Sequence, residues 1–242
     1  MLFARLRRLL QPLARTPFHP QWLALRGQAA TRAAVLRAAK GRVIDVGCGD
    51  RWLAEAVGRQ ADYIGLDYPL TVAQGYPGTA DVFGDAAHLP FSSAAADTLL
   101  LLDVLEHLRT PEAALAEAAR VLKPGGRLVL QVPFLYPVHD APNDYRRWTL
   151  DGLRLLLERH GFTTEEETVH VYPLETAAAL ASMALAKGGL DVLTYRPLAL
   201  PLLPLIVLLI PCINLGGWLL ARLLPRDRFM PLSYRLVAVK AS

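Results

Sequence analysis

From residue 42 onward, short apolar runs alternate with stretches of helical spacing, the pattern of a parallel sheet covered on both faces. Arg42–Val46 reads as a first strand, followed by a helix over Trp52–Gln60 and a second strand over Asp62–Leu66. The stretch from Tyr68 to Gly78 is rich in proline and glycine and predicts irregular chain. Asp81–Phe83 reads as a short third strand, and Asp97–Leu102 as a fourth, apolar as a strand buried on both faces must be. Glu112–Leu122 predicts a helix that stops before Pro124-Gly125-Gly126, with a fifth strand over Arg127–Pro133. A further helix is predicted over Thr149–His160, opened by a threonine cap and closed at Gly161. Thr168–Tyr172 and Tyr234–Lys240 complete a set of seven strands, and the fold class that follows is a Rossmann-like, mostly parallel α/β sheet.

An insertion of about residues 174–231 separates the last two strands. Thr176–Ala186 is alanine-rich and suits a helix, and Pro197–Ala221 contains no charged residue. Pro201, Pro204 and Pro211 interrupt that stretch, and interior prolines break or kink helices. A bend at Pro211 leaves two arms of about 13 residues, each about 20 Å long, too short for a hydrocarbon core of about 30 Å. Arg196 precedes the stretch, and Arg222, Arg226 and Arg228 follow it, a distribution that favours both ends on the cytoplasmic side. The expectation is a shallow hairpin buried in one leaflet. An apolar lid or a dimer interface is the other reading. Residues 1–15 read as a short basic amphipathic helix, with Leu2, Leu6, Leu9, Leu10 and Leu13 on one side and arginines near the other. The expected organisation is therefore a basic N-terminal segment (1–30), an α/β domain (31–173 and 232–242) and the apolar insertion (174–231).

Composition sharpens this picture. The chain is 53% hydrophobic with a net charge of +4, and its mean hydropathy is +0.27, unusually apolar for a wholly soluble protein. The arginines gather at the ends of apolar segments, and no stripe of interleaved basic and aromatic residues is present, so nucleic acid is not the expected partner. The two cysteines, Cys48 and Cys212, form neither a metal-ligand spacing nor a disulfide framework. No metal is expected, and the compartment expected is reducing and cytoplasmic.

The first strand runs into Asp45-Val46-Gly47-Cys48-Gly49-Asp50, an acidic strand end followed by a Gly-x-Gly turn. Glycine there lets backbone approach a ligand where a Cβ would collide, at the sheet edge where open α/β folds bind ligands. Asp67 ends the second strand, 20 residues after Gly47, the place of a carboxylate that meets ribose hydroxyls. Trp52 stands where a dinucleotide fingerprint requires its third glycine, and Asp50 is a poor neighbour for a pyrophosphate. A ligand with a ribose, a positive centre and no phosphate suits Asp45, Asp67 and Asp85 better.

The segments VIDVGCG, YIGLD, GDAAHLPF, DVLEHL and LKPGG occur in the order and spacing of class I S-adenosylmethionine-dependent methyltransferases, and the chain resembles their type 11 branch over about residues 40–172. One departure is Arg51, where the family's first loop usually carries a third glycine. The resemblance implies S-adenosylmethionine as cofactor. It implies that Asp45, Gly47, Cys48 and Gly49 line the methionine and sugar, that Asp67 binds the ribose and that Tyr68 packs near the adenine. Asp85 and Ala86 would meet the adenine edge, and Asp103 and Val104 would face the cofactor. Glu106 and His107 match a common Glu-His pair of the family that reads as structural.

The loop from Pro133 to Thr149 is long, aromatic and polar, and it follows the fifth strand at the expected ligand edge. If the acceptor is a hydroxyl, a base is useful, and His139 is the candidate because an imidazole titrates near neutrality. Asp140 or Asp144 would orient it. Tyr136, Tyr145 and Arg146 are candidates for binding the acceptor. The expected activity is methyl transfer, at oxygen, to a small-molecule or lipid- or glycan-linked acceptor at the cytoplasmic membrane surface. A nicotinamide-dependent oxidoreductase and a non-catalytic membrane-associated scaffold are the alternatives.

Overall fold

The computed structural model describes residues 11–71 and 78–241. Most of the basic segment expected over residues 1–15 lies outside that range. The sheet has seven strands in the order β3-β2-β1-β4-β5-β7-β6. They span Arg42–Val46 (β1), Asp62–Asp67 (β2), Val82–Phe83 (β3), Ala96–Leu102 (β4), Leu122–Pro133 (β5), Phe162–His170 (β6) and Ser233–Lys240 (β7). β1 pairs in parallel with β2 and β4, β2 with β3, and β4 with β5. β7 runs antiparallel to β5. Strand order reverses between β1 and β4, so chain leaves the sheet in opposite directions there and opens a crevice at the carboxyl ends.

Burial explains the central strands. Val43, Leu100, Val129 and Val237 meet in a core with Val35 and Val57 from flanking helices. Two strands are longer than their sequence pattern predicts. β5 starts at Leu122, which is fully buried and pairs with Ala96 before a shift in register. Gly125, at φ 72°, lets the Pro-Gly-Gly segment kink without leaving the sheet. β6 starts at Phe162, although Thr163 to Glu167 is polar. It is an edge strand, and its glutamates are matched by cations: Glu165 by Arg127, Glu166 by Arg37 and Glu167 by Arg154.

The chain divides into two compact units. One holds most of the sheet: Ala30–Phe134, Val138–Thr168 and the chain from Ser233 onward. Its helices are α2 (Gln28–Ala38), α3 (Ala54–Gly58), α4 (Pro111–Val121) and α5 (Leu150–Arg159), apart from the first two residues of α2. The other unit comprises the chain up to Ala29, Leu135–Pro137 and Val169–Leu232. It carries α1 (Trp22–Arg26) and two long helices, α6 (Pro173–Tyr195) and α7 (Leu203–Leu223), joined through Arg196 and a 3-10 turn over Pro197–Leu202.

α6 and α7 form an antiparallel hairpin. Gly217 lies against Ala178, so close that a Cβ on Gly217 would sit 2.3 Å from the alanine methyl. One level further, Ser182 Oγ donates to Asn214 Oδ1 at 2.9 Å, and further still Gly189 lies beside Leu203 and Ile206. Asn214 Nδ2 donates to the carbonyls of Pro17 and His19, which ties the N-terminal segment to this end of the hairpin. Trp22 and Trp218 pack there with ring centroids 6.1 Å apart, and Arg26 lies over both rings.

The helix is not interrupted at Pro211, where the sequence pattern suggested a bend between two arms. α7 runs through it, and the reversal of direction falls at Arg196 instead. Pro201 and Pro204 sit in and just after the 3-10 turn, where a missing N–H is tolerated. The arms are therefore 23 and 21 residues, about 34 and 31 Å, each long and apolar enough to cross a membrane. Arg196 therefore lies at the reversal and Arg222 in the last turn of α7, at opposite ends of the hairpin.

Thr149 caps α5 as expected, its Oγ1 accepting from Gly152 N at 3.1 Å. Thr149→Ala should lower stability by about 1 kcal/mol, moving the thermal midpoint down by about 2–4 °C, whereas Thr149→Ser should melt like the parent. Equal midpoints for all three proteins in a calorimetric scan would show that the cap contributes nothing.

Candidate active site

Four neighbouring parallel strands each deliver an aspartate to the same edge: Asp85 after β3, Asp67 ending β2, Asp45 near the end of β1 and Asp103 after β4. β1 turns through Gly47 and Gly49, at φ 78° and 53°, values that disfavour any side chain. A Cβ on Gly47 would fall 2.3 Å from Val104 Cγ2, so this turn and the one after β4 are in contact only because residue 47 is glycine. The N–H groups of Gly47 and Cys48 both donate to Leu66 O, which fixes the turn on β2.

Asp67 is buried and accepts from Gly49 N at 3.1 Å and from Tyr68 N at 2.7 Å, one bond to each oxygen. A carboxylate has about four lone-pair positions, so Asp67 keeps capacity for two hydroxyls. Asp45 accepts from Tyr63 Oη at 2.7 Å. Burial, only partly offset by that bond, pushes its carboxyl up to about 6, with Asp67 adding to the rise. Burial and the same carboxylates push the Cys48 thiol up to about 12, so it is inert as a nucleophile. Asp85 accepts from Ala87 N at 2.9 Å and shapes the turn in which Ala86 is buried. Tyr68 is about half exposed (48%), its ring available to cover a ligand.

Asp103 accepts from Gln131 Nε2, Gln131 Oε1 accepts from Thr31 Oγ1, and Thr31 Oγ1 accepts from Arg235, each at 2.9 Å. This chain, buried at Thr31, Gln131 and Arg235, reaches across β5 and β7. None of it is visible from the local sequence, because its members lie up to 204 residues apart.

Arg51 adopts φ 58° and turns its guanidinium onto Asp81 and the Thr79 carbonyl. Asp81 also accepts from Gly65 N, and the β2–β3 register puts it two residues below Asp67. The departure from the family loop therefore braces the edge of β2, and the arginine head lies below the level of the ribose-type carboxylate.

The loop after β5 is ordered by Asp144, which accepts from His139 N at 3.0 Å and from the Arg147 guanidinium. That guanidinium holds the Asp144 carboxyl down at about 2. His139 Nδ1 lies 3.3 Å from Asp144 Oδ2, so Asp144 is the carboxylate placed to orient this imidazole. Asp140 sits at φ 50°, and its carbonyl accepts from Asn143 N. Tyr145 N donates to the Glu106 carbonyl, and its hydroxyl lies within hydrogen-bond reach of Asn143 and Arg109. Arg146 Nη1 donates to the carbonyls of Leu108 and Arg109 and pins the loop to the turn after β4. Tyr136 belongs to the helical unit, where its hydroxyl accepts from Gln21 Nε2. Tyr145 and Arg146 belong to the other unit.

Glu106 and His107, a pair that reads in sequence as structural, are brought beside His139. Glu106, in the 3-10 turn Leu105–His107 after β4, is fully buried, and the rings of His107 and His139 meet edge to face at 4.7 Å beside it. The available signal was positional: Glu106 and His107 follow β4 at the same edge that the β5 loop overhangs.

A model of the methyltransferase domain family matches residues 19–194. The chain belongs to the class I S-adenosylmethionine-dependent methyltransferases. Among curated relatives, a protein of Mycolicibacterium smegmatis described as a probable S-adenosylmethionine-dependent methyltransferase is 34% identical over 158 residues, covering 61% of this chain and 60% of that one. A ubiquinone biosynthesis O-methyltransferase of Aliivibrio fischeri is 30% identical over 167 residues, 65% of this chain and 69% of the relative. The chain thus spans between three-fifths and seven-tenths of these relatives. The crystal structure of an S-adenosylmethionine-dependent methyltransferase from Archaeoglobus fulgidus superposes with a TM-score of 0.52 at 18% identity, covering 88% of this chain and 94% of that one, and shows the shared fold. The enzyme therefore uses S-adenosylmethionine rather than a nicotinamide, as the family and the acidic, phosphate-averse edge agree.

The raised Asp45 carboxyl makes stability depend on pH with a definite sign. An unfolded aspartate titrates near 3.9, so between about pH 4 and 6 the native methyltransferase binds a proton that the unfolded chain releases. Stability from this group is therefore greatest below about pH 4 and falls by roughly 2–3 kcal/mol as pH rises through 6. Asp45→Asn should raise the thermal midpoint by several degrees at pH 8, with the gain vanishing as pH approaches 4. A gain of equal size at both pH values would rule out the buried charge as its source.

Proposed function

We propose that this enzyme methylates an oxygen of a small lipophilic or lipid-linked acceptor at the cytoplasmic face of a membrane. The observation that carries the chemistry is the His139 imidazole set against the ionised Asp144, on the loop that follows β5 at the sheet's carboxyl edge. S-adenosylmethionine supplies an electrophilic methyl group on a sulfonium centre. Asp45, Gly47, Cys48 and Gly49 line its methionine and sugar, and the remaining lone pairs of Asp67 take the ribose hydroxyls. Tyr68 covers the adenine, Asp85 and Ala86 meet its edge, and Asp103 and Val104 close the side next to the sulfonium. The negative edge favours this cation over a phosphate-bearing cofactor. His139 takes the proton of the acceptor hydroxyl, with Asp144 holding the ring so that Nε2 carries the accepting lone pair. Tyr145 lies in the same loop and offers an aromatic wall and a hydroxyl to the acceptor. An oxygen acceptor is also in keeping with relatives named for ubiquinone biosynthesis O-methylation.

The membrane reading rests on the helical unit. Leu205, Val207 and Leu208 in the first turns of α7 are 52–63% exposed, and Leu193, Leu198 and Leu202 around the reversal are exposed as well. At the other end of the hairpin, Trp218 lies beneath Arg222 at 3.5 Å, an aromatic-cation pair suited to a headgroup region. We read the apolar end as lodged in the bilayer and the Trp218 end as resting at its surface. A sugar on a glycolipid, a quinone-like ring and a phospholipid-type headgroup all fit such an address.

Three measurements bear on this. Asp67→Ala should weaken S-adenosylmethionine binding at least about tenfold by calorimetry, since charge-assisted bonds to two hydroxyls are lost. Unchanged affinity would remove Asp67 from the cofactor site. The pair Leu205→Asp and Leu208→Asp should abolish co-flotation of the full chain with anionic vesicles, and persistent flotation would place membrane contact elsewhere. Membranes carrying the enzyme, given methyl-labelled cofactor and a lipid extract, should place label on a hydroxyl-derived ether in the organic phase. Label confined to nitrogen or to water-soluble products would defeat the oxygen reading.

A further inference from the structure

Glu106 presents a problem that the proposed reaction leaves open. Its side chain is completely buried, and neither carboxylate oxygen has a hydrogen-bond partner among the described residues. Arg147, a cation of the loop after β5, has its guanidinium bonded to Asp144 and the Arg146 carbonyl.

What faces Glu106 is a pair of imidazoles. His107 Nε2 lies 3.6 Å and His139 Nε2 3.8 Å from Glu106 Oε1. These separations exceed hydrogen-bond length. They are close to the spacing of two ligands on a common ion, since donors about 2.0–2.2 Å from a zinc-sized cation at tetrahedral angles stand about 3.3–3.6 Å apart. One ligand atom from each of the three residues lies within 4.8 Å of the others.

The far side of each ring completes the pattern. His107 Nδ1 is 2.8 Å from the Asn143 carbonyl, which can only accept, so that nitrogen carries the proton and Nε2 the lone pair. His139 Nδ1 faces the Asp144 carboxylate, with the same consequence. Ligating histidines are held in this way, one nitrogen donating to a carbonyl or carboxylate while the other meets the ion. Two nitrogen lone pairs and a buried carboxylate thus converge on one point, and a cation resolves what is otherwise mutual repulsion.

We propose that Glu106, His107 and His139 form a binding site for a divalent transition-metal ion of the zinc class. Imidazole ligands favour Zn²⁺ or Co²⁺ over Mg²⁺, and three protein ligands leave a position open, as in catalytic rather than structural sites. The existence of the site is independent of the proposed O-methylation, but its use rests on that reading and refines it. The open position takes the acceptor oxygen, whose proton the ion displaces to solvent. His139 is then a ligand instead of the base. The oxygen attacks the methyl carbon, the carbon–oxygen bond forms, and the carbon–sulfur bond breaks with its electron pair passing to sulfur.

The test uses the full-length chain in detergent, stripped with a chelator and titrated with Co²⁺. One equivalent should bind, with visible ligand-field bands, and Zn²⁺ but not an about hundredfold excess of Mg²⁺ should displace it. His107→Ala and His139→Ala should each lower Co²⁺ affinity by at least about 100-fold, and Asp144→Asn, which keeps the loop's backbone contact and alters the group on the outer side of His139, by about tenfold. Binding of S-adenosylmethionine by the His107→Ala protein reports that the fold is intact. Absent Co²⁺ binding, or binding unaltered in both histidine variants, overturns the site. If the stripped enzyme methylates an oxygen at full rate and binds no Co²⁺, the metal proposal fails and O-methylation stands. If Co²⁺ binds as described and no oxygen is methylated, the site stands and the acceptor reading fails.

Discussion

Concentrating carboxylates along one edge of a sheet is the constraint on which this structure turns. Asp85, Asp67, Asp45 and Asp103 leave adjacent parallel strands in one direction, and the burial of Asp45 and Asp67 makes the repulsion between those two stronger than it would be in water. The fold answers each charge with donors that come from elsewhere. Backbone N–H groups serve Asp67 and Asp85, the Tyr63 hydroxyl serves Asp45, and Gln131 serves Asp103. The edge stays acidic but is satisfied well enough to persist. Such an edge suits a positive ligand, and a sulfonium nucleoside is one. Asp45 is the least compensated of the four, since burial holds its carboxyl near 6.

The same logic governs the loop after β5. Asp144 gathers a backbone N–H, an arginine and an imidazole around one nearly inaccessible carboxylate, and this fixes a segment with no regular structure of its own. Arg146 and Tyr145 secure the loop to the turn after β4 through backbone contacts. Arg146, a candidate in sequence for binding the acceptor, and Arg147 are engaged internally, on carbonyls and on Asp144. The loop is thereby rigid enough to hold His139 beside His107 and Glu106, which sequence places 32 or more residues away.

The apolar insertion follows a different rule. Its hairpin is held at one end by close approach of Gly217 to Ala178 and by the Ser182–Asn214–His19 bonds, small and polar contacts of the kind that join helices where hydrophobic burial gives little driving force. The other end presents leucines outward. Those outward leucines are the surface on which the proposed membrane contact rests.

The sequence by itself determined the strands, the glycine turn, the aspartates at strand ends and the threonine cap of α5, because these depend on periodicity and on conformations that only certain residues adopt. Particular elements escaped it for physical reasons. β6 hid behind a run of glutamates that pair with cations from distant parts of the chain. Pro211 was read as a bend, yet a helix can absorb one proline when its neighbours remain packed, and Ile210 and Pro211 are both buried. Tertiary structure alone decided which charges meet. The Arg235–Thr31–Gln131–Asp103 chain, the turning of Arg51 onto Asp81, and the convergence of Glu106, His107 and His139 all join residues far apart in sequence, and hydrogen bonds act over a few ångströms of space, whatever the number of residues between.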